Sequence, residues 1–480
     1  MLEEAPILDT KLYTKKPTLL LGCLTFCVLI ILSIIFYKER IGTLDSAFHL
    51  FEILRQGTPT IQNNRFVALL TQFFPLLGAK FHLPLSSIAL MYSVGHVIIQ
   101  IIIFCVIVEV LKNPKMALAY LLFLTLITTH TFFWVQSELP QGVGFLFIYF
   151  ALLERILAQQ KIRVLQALGS LALMIIIAFA HPLLIFPFLF FHIYHFQKKE
   201  SKAANKIIVV TVLAYLFIAV ARTLFFKASY EITAFAGLKN FAHLFPNYIK
   251  LPSHQNFLEY LWTDFYFLIV LFGINSFSFL KNKQYFKLVS TSSFLLGYLL
   301  LVNVCYYQGV QQFYLENQYS LLAIFVIIPF LQDGHTSLLS KKMKWQILQY
   351  LLPLCIVFLF TIRILSTSSY YTSLQNWKRK IITQSSELKD KRIVVFKNEK
   401  NEDMILDGWA FPYEVWFIST IEFGYSQAAL YRKDPIHFNW SWDKYDKFIS
   451  DMAAIPYNEL APPYFKFPDT SAETVFTPSY

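Results

Sequence analysis

Charge is scarce in this sequence: Asp, Glu, Lys and Arg supply 15% of its 480 residues, while 56% are apolar and 18% aromatic. That balance excludes a water-soluble globule of ordinary composition. Cysteine is sparse as well. All five, Cys23, Cys27, Cys105, Cys305 and Cys355, fall inside apolar runs, so no disulfide framework exists. A P-loop, a dinucleotide fingerprint, a zinc-ligand spacing and a G-x-S-x-G elbow are all missing. Any chemistry must therefore come from polar side chains that the fold gathers. No internal repeat, inverted or direct, occurs, and this weighs against the transporter architectures built on repeats.

What the chain has is hydrophobic runs of bilayer length. The first, Pro17 to Tyr37, follows Lys15 and Lys16 and lacks a small-residue cleavage site, so it is expected to stay as an anchor and first span. Ten more lie at 84–111, 116–134, 140–157, 164–180, 183–196, 207–226, 257–280, 286–305, 319–331 and 346–365. The expected fold is a polytopic α-helical membrane protein of about 11 transmembrane helices, with the runs at 183–196 and 319–331 short for a perpendicular span. With the N-terminus in the cytoplasm, 18 Lys and Arg fall on six short cytoplasmic segments and eight on the longer outer loops. The positive-inside rule thus sets the direction, and an odd number of spans puts the C-terminus outside.

The expected division is a transmembrane domain over 1–365, with long outer loops at 38–83 and 228–256, and a small α/β extracytoplasmic C-terminal domain over 366–480. In the first loop two amphipathic stretches, Leu44–Leu54 and Phe66–Phe81, read as helices lying in the membrane interface. The C-terminal region reads as a helical lead-in (Trp377–Lys391), a β-like run (Arg392–Phe396), an aromatic and β-branched stretch (Trp409–Phe423), the segment HFNWSWDKYDKF and a Pro-rich tail. It carries 13 Lys and Arg against 15 Asp and Glu, so the overall excess of +11 belongs to the membrane part. No nucleic-acid partner is expected from such a distribution.

Six segments bring ionisable groups to the same outer face. Asp45 follows the first span, with His49 one helical turn later. Arg65 follows the turn of the first loop. Glu138 occupies a short hairpin between the third and fourth spans, where a carboxylate at the membrane boundary tends to be kept for a partner. His181 precedes Pro182 at a tight outer junction, Arg222 lies about one turn below the outer surface, and Glu316 sits at the outer end of the tenth span with Tyr319 on the adjacent turn. Each also has a structural reading: Asp45 as a helix cap, His181 as a helix-end hydrogen-bonder, Arg222 as a snorkelling headgroup contact.

The layout resembles the integral-membrane glycosyltransferases of the C superfamily, among them the protein O-mannosyltransferases and the aminoarabinose and arabinosyl transferases. The resemblance covers the whole chain as topology. As sequence it rests on Asp45 after the first span, RFVALLTQFFP from Arg65 to Pro75, Ser137-Glu138, and ENQY at 316–319, which is similar to an E-x-R-Y string. Gln318 stands where an Arg is common, and the first loop has no Asp-x-Asp or Asp-Glu pair. The resemblance implies transfer of a sugar from a polyprenyl-phosphate-linked donor to an acceptor at the extracytoplasmic face of the cell (inner) membrane, with inversion. Asp45 is the expected general base and Glu138 a second catalytic or acceptor-orienting group; His49, Arg65, His181, Arg222, Glu316 and Tyr319 are the expected substrate-binding set. A divalent cation, Mg or Mn, stays open as a cofactor, and membrane lipids are expected partners. Two other classes stay open: a non-catalytic scaffold that holds a protein partner through the C-terminal domain, and a lipid-linked substrate transporter.

Overall fold

The computed structural model describes residues 15–197, 201–226, 231, 233, 235–334, 345–385, 391–396, 404–432, 447–460, 462–467 and 472–475. Most of HFNWSWDKYDKF and the end of the Pro-rich tail lie outside them. The chain is predominantly helical. In order, the helices are α1 (Lys15–Ile35), α2 (Tyr37–Ile41), α3 (Leu44–Gln56), α4 (Leu69–Lys80), α5 (Leu85–Cys105), α6 (Pro114–Leu126), α7 (Glu138–Gln159), α8 (Val164–Ala180), α9 (Ile185–Phe196) and α10 (Lys202–Phe225). They continue with α11 (Phe241–Leu244), α12 (Pro252–Thr263), α13 (Tyr266–Lys281), α14 (Tyr285–Cys305), α15 (Gln312–Tyr319), α16 (Leu322–Pro329), α17 (Trp345–Ser385) and α18 (Phe411–Glu422).

Among the described residues, seven helices are long and apolar enough to cross a membrane: Lys15–Ile35, Leu85–Val110, Glu138–Gln159, Lys202–Phe225, Tyr285–Cys305, Gln312–Asp333 and Leu354–Ser385. The pair α12 and α13, bent by 80° at its break, makes an eighth if it is one span. The runs at 116–134, 164–180 and 183–196 form shorter apolar helices, so length and composition support seven or eight spans where eleven were expected. The break after α12 has a visible cause. Arg363, half-way along α17, donates to the Asp264 carbonyl at 3.1 Å and to the Leu126 carbonyl at 2.6 Å, capping two helix ends whose last carbonyls lack an intrahelical donor. The span Gln312–Asp333 is the most enclosed, with nearly all of it buried among its neighbours.

The first loop does not lie flat on a lipid surface over its first half. Every residue of α3 from Ser46 to Ile53 is buried, because α3 packs against α18. Phe51 stacks on Phe448 at 4.5 Å and meets Tyr413, Trp416 and Phe465 edge-on. The second stretch differs, since Phe66, Leu69, Phe73 and Phe81 remain exposed.

α17 runs unbroken through residues 365 and 366, the expected domain boundary, and ends at Ser385. Beyond it β1 (Lys391–Phe396) is central in a three-stranded parallel sheet, flanked by β2 (Ala429–Arg432) and β5 (Ala472–Val475). A two-stranded antiparallel ribbon pairs β3 (Lys447–Ile449) with β4 (Ala454–Pro456). The aromatic stretch at 409–423 forms the crossover helix α18 of a β1–α18–β2 unit, as parallel neighbours require a helical connection. Its Trp416 is fully buried, stacked on Phe465, and donates its indole N–H to the Tyr464 carbonyl.

Two contacts hold this region against the start of α3, and a buried ion pair ties α17 to α18 behind them. Gly42, between α2 and α3, sits so close under Phe417 that a Cβ would lie 2.7 Å from its ring. Gln375 of α17 donates to the Gly42 carbonyl at 3.1 Å. Lys378 of α17 and Glu414 of α18 form a 2.6 Å ion pair whose side chains are 1% and 2% exposed. A buried pair stabilises little in itself, but removing one partner leaves an uncompensated charge. Lys378→Met should therefore cost about 3–5 kcal/mol, read as a lowered melting temperature in detergent, and the double change Lys378→Met, Glu414→Gln should recover part of the loss. An unchanged melting temperature in the single variant would contradict this account of the joint.

Candidate functional site

Where α3, α7, α14 and the C-terminal region meet, a cavity of about 450 Å3 is lined by residues from at least six separated stretches. Asp45, His49, Arg65, Glu138 and His181 all line it. Asp45 is the second residue of α3, and its neighbour Leu44 takes the left-handed conformation (φ 48°) that a branched side chain rarely adopts. That turn is held from below: the Leu44 N–H donates at 2.7 Å to Glu414, the carboxylate already paired with Lys378. A strained backbone thus aims Asp45 into the cavity, and the tie comes from the C-terminal region.

The Asp45 carboxylate accepts one hydrogen bond, from the Trp134 indole N–H at 3.0 Å. Burial pushes its pKa up to about 7, the negative charge of Glu138 adds to the rise, and the Trp134 bond and Arg65 oppose it. Asp407, another lining residue, contributes a further upward push and is itself raised by burial. Such a carboxyl is half-ionised near neutrality, where an ordinary Asp would be fully charged.

Next to it stands a chain of alternating charges. Arg65 lies 3.3 Å from Glu138 and 3.8 Å from Glu231. Glu231 is held in turn by both terminal nitrogens of Arg222, one at 2.7 Å. Arg222 does not line the cavity itself but reaches it through Glu231, which does. His181, between α8 and the helical turn that follows, accepts from the Leu183 N–H at 3.2 Å; burial, with Arg65 and Arg222 nearby, pushes its pKa down and keeps the ring neutral. His49 is also neutral, pushed down to about 3 by burial. Its Nδ1 faces the Gln72 amide at 3.3 Å, which leaves the proton on Nε2.

Two expected residues are placed elsewhere. Glu316 is 1% exposed and does not line the cavity. Its carboxylate accepts from the backbone N–H groups of Thr129, His130 and Thr131 at 2.8–3.0 Å and from the hydroxyls of Thr129 and Thr131. It anchors the helical turn that precedes Trp134. Tyr319 is fully buried and donates to Asn303 and to the Ser253 carbonyl, so its hydroxyl is used inside the bundle. Within ENQY it is Asn317 and Gln318 that line the cavity, Asn317 accepting from the Ser137 hydroxyl at 3.1 Å.

Sequence reasoning missed Trp134, Glu231 and Asp407. Glu231 carried a signal, being the one acidic residue of the 228–256 loop. Trp134 had only its proximity to Glu138, and nothing set Asp407 apart from the other acids of the C-terminal region. Among the described residues no three His, Cys, Asp or Glu side chains are grouped to hold a metal ion. Arg65 lines the cavity as a cationic group, and Arg222 stands behind it through Glu231.

The raised pKa has a consequence for stability. An unfolded Asp titrates near 3.9 and Asp45 in the fold at about 7, so its contribution is fully present below the unfolded value and is lost as pH rises to the folded one. The loss amounts to up to about 4 kcal/mol. Asp45→Asn should melt at a higher temperature than the wild type at pH 8, and the two should converge toward pH 4. A variant less stable at pH 8, or a pH-independent difference, would contradict the raised pKa. Comparison with protein-family models, characterised proteins and solved structures finds no match to this chain.

Proposed function

We propose that the protein is a membrane glycosyltransferase that moves a sugar from a polyprenyl-phosphate-linked donor to an acceptor hydroxyl, with inversion, at the extracytoplasmic face. In this reading all eleven apolar runs cross the bilayer, the three short helices and the bent pair included, with the N-terminus cytoplasmic and the region after α17 outside. The observation that carries it is the placing of Asp45, raised to about 7, in one cavity with the Arg65–Glu138 pair and with Glu231, behind which Arg222 stands. Leu301, Val302 and Phe313 supply an apolar wall to the same cavity, two of them from the membrane-length helix α14. A donor with a long hydrocarbon tail and an anionic head suits such a mixed lining.

The chemistry needs a base and a cationic clamp. Asp45 takes the proton of the acceptor hydroxyl as its oxygen bonds to the anomeric carbon of the sugar. The bond from that carbon to the phosphate oxygen breaks, and its electron pair leaves with the phosphate. A base with a pKa close to the working pH serves this best. Breaking the bond turns a singly charged phosphodiester into a monoester with one more negative charge, so guanidinium groups nearby bind the transition state more tightly than the ground state. In this reading the donor phosphate displaces Glu231 from between Arg65 and Arg222. Glu138 then keeps Arg65 oriented and holds the Asp45 pKa up.

Asp45→Asn should lower turnover by about 10²–10⁴-fold, the usual worth of a general base, with folding and membrane insertion intact. Unchanged turnover would remove Asp45 from the mechanism. Trp134→Phe deletes a hydrogen bond to the ionised form and should move the rising limb of the pH–rate profile to higher pH, while Glu138→Gln should move it lower. Glu231→Gln removes the competing carboxylate and should reduce the donor KM, measured with a synthetic prenyl-phosphate sugar. A raised KM would mean that Glu231 helps bind the donor instead.

A further inference from the structure

A second, smaller cavity of about 60 Å3 lies deeper in the bundle, lined by Arg40, His96, Gln100 and Ser320 among apolar side chains from α1, α5 and α6. It shares Trp134 with the larger cavity, but its polar groups Arg40, His96, Gln100 and Ser320 take no part in the chemistry above. Its main feature is Arg40, which is 1% exposed. Among the described residues the partners of its guanidinium are the Ser33 hydroxyl and the face of Phe132, 4.2 Å away, and Nε has no hydrogen-bond partner. Neither partner carries a charge. The adjacent Glu39 acts electrostatically on Arg379 instead, and no Asp or Glu lines the cavity. Burial is accordingly the one cause acting on the Arg40 pKa, lowering it to about 9. At that value the group is still cationic at neutral pH, and a buried cation with no counter-charge is among the costliest arrangements a protein can hold.

The rest of the lining offers donors. Tyr120 donates its hydroxyl to the Gln100 carbonyl oxygen, which fixes the carboxamide with its NH2 group toward His96. The His96 ring is already engaged, by the Gln100 amide and by the Val135 backbone, so Nε of Arg40 is the lining donor left without a hydrogen-bond partner among the described residues. The lining thus combines one buried positive charge, an amide donor and the hydroxyl-bearing residues Thr128, Thr131 and Ser320 with apolar walls, and no carboxylate. The cavity has room for about four water-sized particles. Exchange of one buried charge for none requires a single negative charge, since a divalent anion would leave the bundle with a net buried charge of the other sign.

We propose that this cavity is a structural binding site for one small monovalent anion of the halide class, chloride under physiological conditions, held between the Arg40 guanidinium and the Gln100 amide. The anion neutralises Arg40 where α1, α2 and α5 meet, and so stabilises the corner from which α3 leaves toward the large cavity.

The test is thermal unfolding of the purified full chain in detergent, in potassium chloride and in potassium gluconate at equal ionic strength. Chloride should raise the wild-type melting temperature once its concentration passes its Kd, by about 2 °C for each further tenfold, and bromide should substitute for it. Arg40→Gln removes the charge and should abolish the response. Identical wild-type melting in the two salts, or a response retained by Arg40→Gln, would overturn the site. Should Arg40→Gln fail to fold, the chloride-35 linewidth with wild-type protein decides: broadening reversed by bromide supports the site, and no broadening refutes it.

Discussion

The large cavity of this protein is organised by carboxylates that are mostly withdrawn from water. Asp45, Glu138 and Glu231 are brought together at one cavity, and each is managed differently: one by a raised pKa and an indole hydrogen bond, the other two by arginines. In a dry setting a charge is either matched or neutralised. The site contains both solutions side by side, a carboxyl raised toward neutrality next to carboxylates paired with arginines. The Lys378–Glu414 pair extends the same logic into the scaffold, because Glu414 spends its second oxygen on the strained turn before Asp45.

The bundle shows how buried polar groups elsewhere are made harmless. Glu316 is surrounded by backbone and hydroxyl donors of a single turn. Arg363 caps the ends of two helices that stop inside the bundle, and Asn275 donates to the Val326 carbonyl of the most enclosed helix. Non-helical backbone at membrane depth is tolerated where such partners exist. Arg40 departs from this pattern, and the departure singles it out.

The apolar runs were legible in the sequence because a stretch near twenty residues with few charges has one common use. What they did not disclose is which short ones reach across: the runs at 164–180 and 183–196 meet at His181-Pro182 and are each below that length. Helix α3 was legible as a helix, but a stretch with Leu44, Phe48 and Phe51 on one side has the same periodicity whether that side meets lipid or another protein layer. Its burial depends on α18, more than 350 residues away. Asp45 and Glu138 were legible because each follows shortly after an apolar run, and Arg65 because it follows the turn of the first loop. Glu316 shared that signal and still points elsewhere, since the donors that claim it are main-chain groups of residues 129–131, which no side-chain pattern reveals. The stretch at 409–423 reads as aromatic and β-branched yet folds as a helix, because a parallel β1–β2 pair requires a crossover there.

The most direct test of the central claim is an infrared difference titration of wild-type protein against Asp45→Asn, following the carbonyl stretch of a neutral carboxyl between pH 5 and 9. The account predicts one such band that disappears with a midpoint close to 7. A residue already ionised at pH 5, with no neutral carboxyl attributable to Asp45, would contradict it.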